Sequence, residues 1–317
     1  MHVIWLENQQ ISVREVPIPV PPPGEALVRI RLAGICATDL ELVKGYYPYN
    51  GILGHEFVGE IVEAPEAPER VGQRVVGEIN AVCGKCETCK RGDPTHCENR
   101  TVLGIANRNG VFAEYTTLPL ENLHLVPDSV PDEMAVFTEP LAAALEIQAQ
   151  VLIKPTDRVL LVGAGRLGQL IASTLKLTGC DLRVVARHAG QRKLLEAAQI
   201  PWLGEDEIPM RNMDLVIEAT GSQAGFALAR RAVRPRGTII LKSTYAGNIE
   251  VDFSSVVVDE LTLVGSRCGP FPPALRLMEA GRVDPRPLIS AYYPLQEGIA
   301  AFECAKQSGI FKVLFQP

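Results

Sequence analysis

The sequence predicts an α/β protein of two domains, one doubly wound around a parallel sheet and the other mainly β with a metal-binding lobe. Three observations lead there. Between residues 158 and 241, continuous apolar runs alternate with helical segments, as buried parallel strands joined by crossover helices do. Before and after that stretch the chain shows short, turn-bounded strands and prolines, which suits a separate β domain. Within the first part, Cys83, Cys86, Cys89 and Cys97 lie in the run CGKCETCKRGDPTHC, so four thiols occupy fifteen residues. Four thiolates at that spacing can close a tetrahedron around zinc from one loop. A closed four-cysteine site is structural, so a working metal has to be sought elsewhere.

The elements follow in order. Residues Ala26 to Ala33 alternate apolar and polar, as a half-buried strand does. The stretch Pro17 to Pro23 can be neither helix nor central strand and is an extended connector. Gly54 to Val62, Gln73 to Val76, Phe112 to Thr117 and Leu123 to Val126 predict further strands. Glu139 to Ile153 predicts a helix with proline in its first turn. After Lys154-Pro155 come strands at Arg158–Val162, Leu182–Ala186, Leu215–Glu218 and Thr238–Leu241. Helices are expected from the glycine loop to Leu177, at Gln191–Ala198 and at Ala224–Ala232. The chain returns to its first domain near Cys268.

Composition bounds the function. The chain has 317 residues, 47% of them hydrophobic and 21% charged, enough for two ordinary cores. Lys and Arg number 31 against 37 Asp and Glu, a net charge of −6. That balance gains nothing from a phosphate backbone and weighs against a nucleic-acid-binding zinc module. With no signal-like start at Met1 and no apolar run of membrane-spanning length, a soluble cytoplasmic protein is expected. In a reducing compartment the cysteines are not read as disulfides or as a redox pair. Cys180, Cys268 and Cys304 read as buried small residues.

Gly163-Ala164-Gly165-Arg166-Leu167-Gly168 follows an apolar strand and opens a helix, the context in which GxGxxG binds a dinucleotide. Its glycines let the backbone approach a pyrophosphate resting on the helix N-terminus, as in a Rossmann domain. An acidic residue at the end of the second strand would bind the ribose 2′-hydroxyl of NAD. The residue reached is Arg187, with His188 beside it, Arg192 near, and no carboxylate before Glu196. Arg187 can bind a 2′-phosphate bidentately with help from Arg192, so NADP is preferred over NAD. The plainer reading makes Arg187 a solvated loop charge and lets either cofactor serve.

A catalytic zinc takes about three protein ligands and keeps one position open. Candidates are Cys36 in GICATDLE, His55 and Glu56 in GHEFVGE, and Glu139 in TEPLAAAL. Each alone has an ordinary reading: a small buried cysteine, a satisfied core histidine, a helix-start carboxylate.

The order of CxTD, GHE before a glycine-bearing strand, the four-cysteine lobe and then a GxGxxG sheet resembles the zinc-dependent medium-chain alcohol, polyol, threonine and glucose dehydrogenases. The resemblance runs from about Ala26 to the C-terminus. It implies a GroES-like catalytic domain (residues 1–144 and 269–317) with a structural zinc lobe, and a Rossmann dinucleotide-binding domain (145–268). It also implies that Cys36 and His55 bind catalytic zinc, with Glu56 an occasional ligand and Glu139 at the third family position. Thr38 would pass the substrate proton, Asp39 would support His55, and Lys312 in SGIFKVLF would lie near the pyrophosphate. Two zincs per chain, one catalytic and one structural, follow from the same resemblance.

The implied reaction moves a hydride between a secondary alcohol and NAD(P), with Thr38 carrying the proton towards Glu41 or solvent. Many members carry histidine where this chain has Glu41, and glucose-type enzymes are nearer in having an acid there. With Glu139, that favours polyols or sugars. The segment 45–54 and the C-terminal part look shorter than usual. Alternatives are an NAD-dependent dehydrogenase of simple or bulky alcohols or aldehydes, a zinc-free double-bond reductase, and a non-enzymatic NADP-responsive regulator. Family members form homodimers and homotetramers, so a homo-oligomer is expected.

Overall fold

The computed structural model describes residues 1–245 and 247–317. The chain forms two units, Met1–Glu139 with Phe271–Pro317, and Pro140–Pro270. Among the described residues no helix is long and apolar enough to cross a membrane.

The larger unit is built on a sheet in the order Leu123–Leu125, Arg74–Gly77, Glu56–Glu63, Glu25–Gly34, Lys312–Gln316 and Ile289–Pro294. Tyr115–Pro119 also pairs with Glu25–Gly34. The central strand Glu25–Gly34 is covered along most of its length, and only Arg29 and Arg31 point to solvent. This burial is deeper than half-buried alternation predicts, because antiparallel partners and core cover it on both sides. The last strand pairs Leu314 with Gly34 and Phe315 with Ala33, so the chain's end closes the same sheet. Phe112 meets Phe315 and Phe302 edge-on, with ring centroids 4.9 and 6.0 Å apart, and fixes that closure.

The strand expected from Gly54 begins at Glu56 instead. Gly54 has φ +94°, and a Cβ there would lie 2.4 Å from the Phe112 ring. The glycine is needed for the sharp entry that sets His55 at the mouth of the strand. Likewise Phe112 and Ala113 precede the strand that starts at Tyr115, and the helix expected over Glu139–Ile153 spans Thr138–Gln150.

The second unit holds a six-stranded parallel sheet in the order Trp202–Leu203, Asp181–Val185, Arg158–Val162, Met213–Glu218, Val233–Leu241 and Thr262–Gly265. This is the doubly wound arrangement, with the first and fourth strands, Arg158–Val162 and Met213–Glu218, meeting at the switch point. Two of these strands escape a periodicity reading. Trp202–Leu203 is too short to show a period, and Thr262–Gly265 is a mostly exposed edge without an apolar run. Val233–Leu241 starts well before the expected Thr238, through Pro235 and Gly237. The pairing tolerates them with a register shift between Met213 and Leu215.

Candidate active site

The central strand Glu25–Gly34 delivers Cys36 to the N-cap of the helix Ala37–Val43. Asp39, three residues on, turns back, and its Oδ2 accepts the Cys36 N–H at 2.8 Å. Asp39 is fully buried, and its Oδ1 lies 3.4 Å from Nδ1 of the equally buried His55. The carboxylate therefore orients the imidazole and leaves Nε2 as the ring nitrogen free for a metal. The Cys36 Sγ lies 3.8 Å from Thr38 Oγ1, so the hydroxyl stands beside the thiol.

Burial pulls the proton affinity of His55 down, but the charges of Asp39 and Cys36 outweigh it and hold its pKa well above the usual histidine value. Asp39 Oδ1 and His55 Nδ1 are also without a well-aligned hydrogen-bond partner. A cation held by Cys36 and His55 would answer the same negative surroundings, so the donor set fits zinc.

The ligand atoms of Cys36, His55 and Glu56 lie within 4.8 Å of one another. Glu139, expected as the third ligand, is not in that set; it stands in the first turn of the helix Thr138–Gln150. Lys312, expected near a pyrophosphate, has partners of its own in this unit. It is buried, and its ammonium bonds the Glu56 carboxylate, approaches the Ile35 carbonyl oxygen at 3.4 Å and lies 5.5 Å from the Phe137 ring centre. Its charge thus pairs with Glu56 beside Cys36 and His55. Glu41 is half-exposed and accepts from Lys44 at 2.7 Å.

In the lobe, Sγ atoms are separated by 3.5 Å (Cys86–Cys89 and Cys83–Cys97) and 3.8 Å (Cys86–Cys97). All four thiols are free, and about 3.8 Å is the edge of a tetrahedron with zinc–sulfur bonds of about 2.3 Å. Backbone N–H groups of Lys85 and Cys86 lower Cys83 to about 6, whereas desolvation and the neighbouring thiols push Cys89 up to about 12. Four crowded sulfurs that compete for protons in this way are relieved by one divalent cation. The lobe fits a closed structural zinc.

The glycine loop lies between the strand Arg158–Val162 and the helix Arg166–Lys176. A Cβ on Gly168 would fall 2.0 Å from the Gly163 carbonyl oxygen, so only glycine lets helix and strand approach this closely. In front of Gly165, the helix N-cap, nothing lies within 4 Å of an added Cβ. That open, N–H-lined cradle, with Arg166 and Leu167 opening the helix, fits a pyrophosphate. Arg187 follows the next strand, and its Nε donates to Glu205. The Gln191 amide oxygen accepts from the N–H groups of Arg187 and His188 at 3.1 and 3.2 Å. Arg192 donates through Nε to the Ala186 carbonyl at 3.0 Å and stacks 4.4 Å from the Trp202 ring centre. Sequence reasoning missed Glu205. Its signal is the acidic run Glu205-Asp206-Glu207 directly after a strand only two residues long.

A fold of this kind, with one cluster suited to a working metal and another to a structural one, defines a two-domain metal-dependent oxidoreductase. Residues 22–128 match the alcohol dehydrogenase GroES-like domain family. Sorbitol dehydrogenase of Halalkalibacterium halodurans is 30% identical over 96% of this chain and 95% of its own length. A protein of Sinorhizobium meliloti 1021 bound to NADP, described as a zinc-binding dehydrogenase, superposes with a TM-score of 0.92 at 29% identity, over 100% of this chain and 99% of that one. An alcohol dehydrogenase (rspB) of Escherichia coli CFT073, complexed with NADH, gives 0.91 at 29% identity over the same shares. The chain belongs to the zinc-dependent medium-chain dehydrogenases.

Proposed function

We propose that this chain oxidises and regenerates a secondary alcohol, with polyols or sugars favoured, using NAD(P) and preferring NADP. The observation that carries the reading is the convergence of Cys36, His55 and Glu56, with Asp39 behind the histidine, in a chain that also carries a pyrophosphate cradle. The similarity to a sorbitol dehydrogenase supports the polyol class. Solved relatives with NADP and with NADH support a nicotinamide cofactor.

The unit of residues 1–139 and 271–317 acts as the catalytic domain, and that of 140–270 as the dinucleotide domain. Cys36 and His55 would hold the catalytic metal with a carboxylate from Glu56 or Glu139; Cys83, Cys86, Cys89 and Cys97 would hold the structural one. When bound, zinc would supply Lewis acidity at the alcohol oxygen and the nicotinamide would supply hydride-accepting capacity. The chain's own residues do the rest. Asp39 keeps the His55 ring in one orientation and tautomer, and Thr38 Oγ1 beside Cys36 takes the hydroxyl proton and passes it towards solvent or Glu41. Gly163, Gly165 and Gly168 admit the pyrophosphate, and Arg187 reads the ribose. The protein is proposed to work in the cytoplasm as a homodimer or homotetramer.

The test is nicotinamide reduction with a panel of polyols, aldoses and simple alcohols, with NADP and NAD, before and after chelation. Metal-dependent turnover of a polyol or sugar, faster with NADP, is the expected result. Failure across the panel in protein carrying two zincs per chain overturns the substrate class, and turnover that survives complete metal removal overturns the mechanism.

A further inference from the structure

The strands Asp181–Val185 and Trp202–Leu203 lie side by side and parallel, with Val185 opposite Leu203 and the Ala186 N–H bonded to the Leu203 carbonyl at 3.1 Å. Two residues past each strand's end, the side chains meet: Arg187 donates to Glu205. In doubly wound sheets this rim, outside the carboxyl ends of the strands, is where ligands bind. Arg187 is thus the cation placed to read a ribose 2′-substituent, and a carboxylate already holds it.

The other two basic groups here differ. Arg192 is locked against Trp202 and the Ala186 carbonyl, and the His188 backbone is pinned by Gln191. Glu205 also opens an acidic run. Glu207 is spent on the Gly204 N–H at 2.7 Å, and Asp206 is exposed. A 2′-phosphate carries about −1.5 to −2 charges at neutral pH. It would have to take Arg187 from Glu205 and then sit beside the displaced carboxylate. A 2′-hydroxyl meets no such repulsion and can donate to that carboxylate.

We propose that Glu205 is a specificity-determining residue that opposes Arg187, weakening the hold on the 2′-phosphate of NADP and favouring the 2′-hydroxyl of NAD. The inference rests on the reading of the glycine loop as a dinucleotide site and of Arg187 as its ribose reader. The Arg187 and Glu205 side chains are 53% and 39% exposed, and exposed pairs are weak. Glu205 therefore tunes the preference and does not block NADP, which leaves the chain able to use both cofactors.

The test is fluorescence titration of NADPH and of NADH, without substrate, on the wild type, Glu205→Gln, Arg187→Ala and the double variant. Glu205→Gln is expected to tighten NADPH by about three- to fivefold and to leave NADH unchanged or weaker. The gain should shrink in high salt and be smaller when Arg187 is absent, since only the repulsion between carboxylate and phosphate is then relieved. If Arg187→Ala weakens NADPH but Glu205→Gln leaves the NADPH-to-NADH ratio unmoved, the role of Glu205 is overturned and that of Arg187 stands. If Arg187→Ala does not weaken NADPH, the ribose-reader assignment falls and this inference falls with it. If neither dinucleotide binds the wild type, the cofactor reading itself is wrong.

Discussion

The four-cysteine lobe draws every ligand from Cys83 to Cys97, one loop with a single helical turn at Glu87–Lys90 and a 3-10 turn at Pro94–His96. Cys36, His55, Glu56 and Lys312 reach their common place from three separate segments, the last of them 256 residues beyond Glu56. The local site needs only its own turns and its metal to form. The dispersed one needs the whole sheet, because Lys312 arrives on the strand that pairs with Glu25–Gly34 and the entry to Glu56–Glu63 depends on Gly54 packing against Phe112. Loss of the lobe should therefore act on stability, and loss of the dispersed cluster on chemistry.

The largest effect sharpens that division. Cys36→Ser is expected to abolish turnover while circular dichroism and the thermal transition stay near wild type; full activity in this variant would break the assignment of a catalytic metal. Asp39→Asn removes the orienting charge behind His55 and should cost about 10- to 100-fold in metal affinity or activity. Metal analysis with steady-state kinetics checks it, and the lobe zinc should remain.

Lys312→Met leaves the Glu56 charge buried and unpaired, and denaturant unfolding should register a loss of about 3–5 kcal/mol. Glu56→Gln together with Lys312→Met should recover much of it, because no lone charge remains in the core. If the single variant is as stable as wild type, the ammonium does not serve as the counter-charge. Cys97→Ser, on the local side of the comparison, should lower zinc content by one ion per chain and speed proteolysis of the segment 83–97. Unchanged zinc content would show that the lobe does not need its fully buried cysteine. Arg187→Asp should turn the kcat/KM preference from NADP to NAD by exchanging a phosphate clamp for a hydroxyl acceptor. An unaltered ratio would remove Arg187 from cofactor choice.

Features carried by contiguous residues were legible in the sequence. The lobe's spacing, the glycine loop after Arg158–Val162 and the strand-helix alternation each arise within a few dozen residues, where period, turn chemistry and ligand spacing act directly. Short or edge elements were not legible. Trp202–Leu203 and Thr262–Gly265 have no apolar run to announce them, and their strand conformation is imposed by a neighbour's backbone.

By itself, then, the sequence determined a two-domain α/β chain, a four-cysteine lobe with zinc-ligand spacing, a glycine loop suited to a pyrophosphate and the candidates Cys36, His55, Glu56 and Glu139. Tertiary structure alone decided how closely the ligand atoms of Cys36, His55 and Glu56 approach one another, that Lys312 neutralises a buried carboxylate, and that Arg187 faces Glu205. The last two are charge pairings between segments that only the fold brings together. A charge's partner is set by which backbone the fold brings within a few ångströms, and no local periodicity encodes that distance.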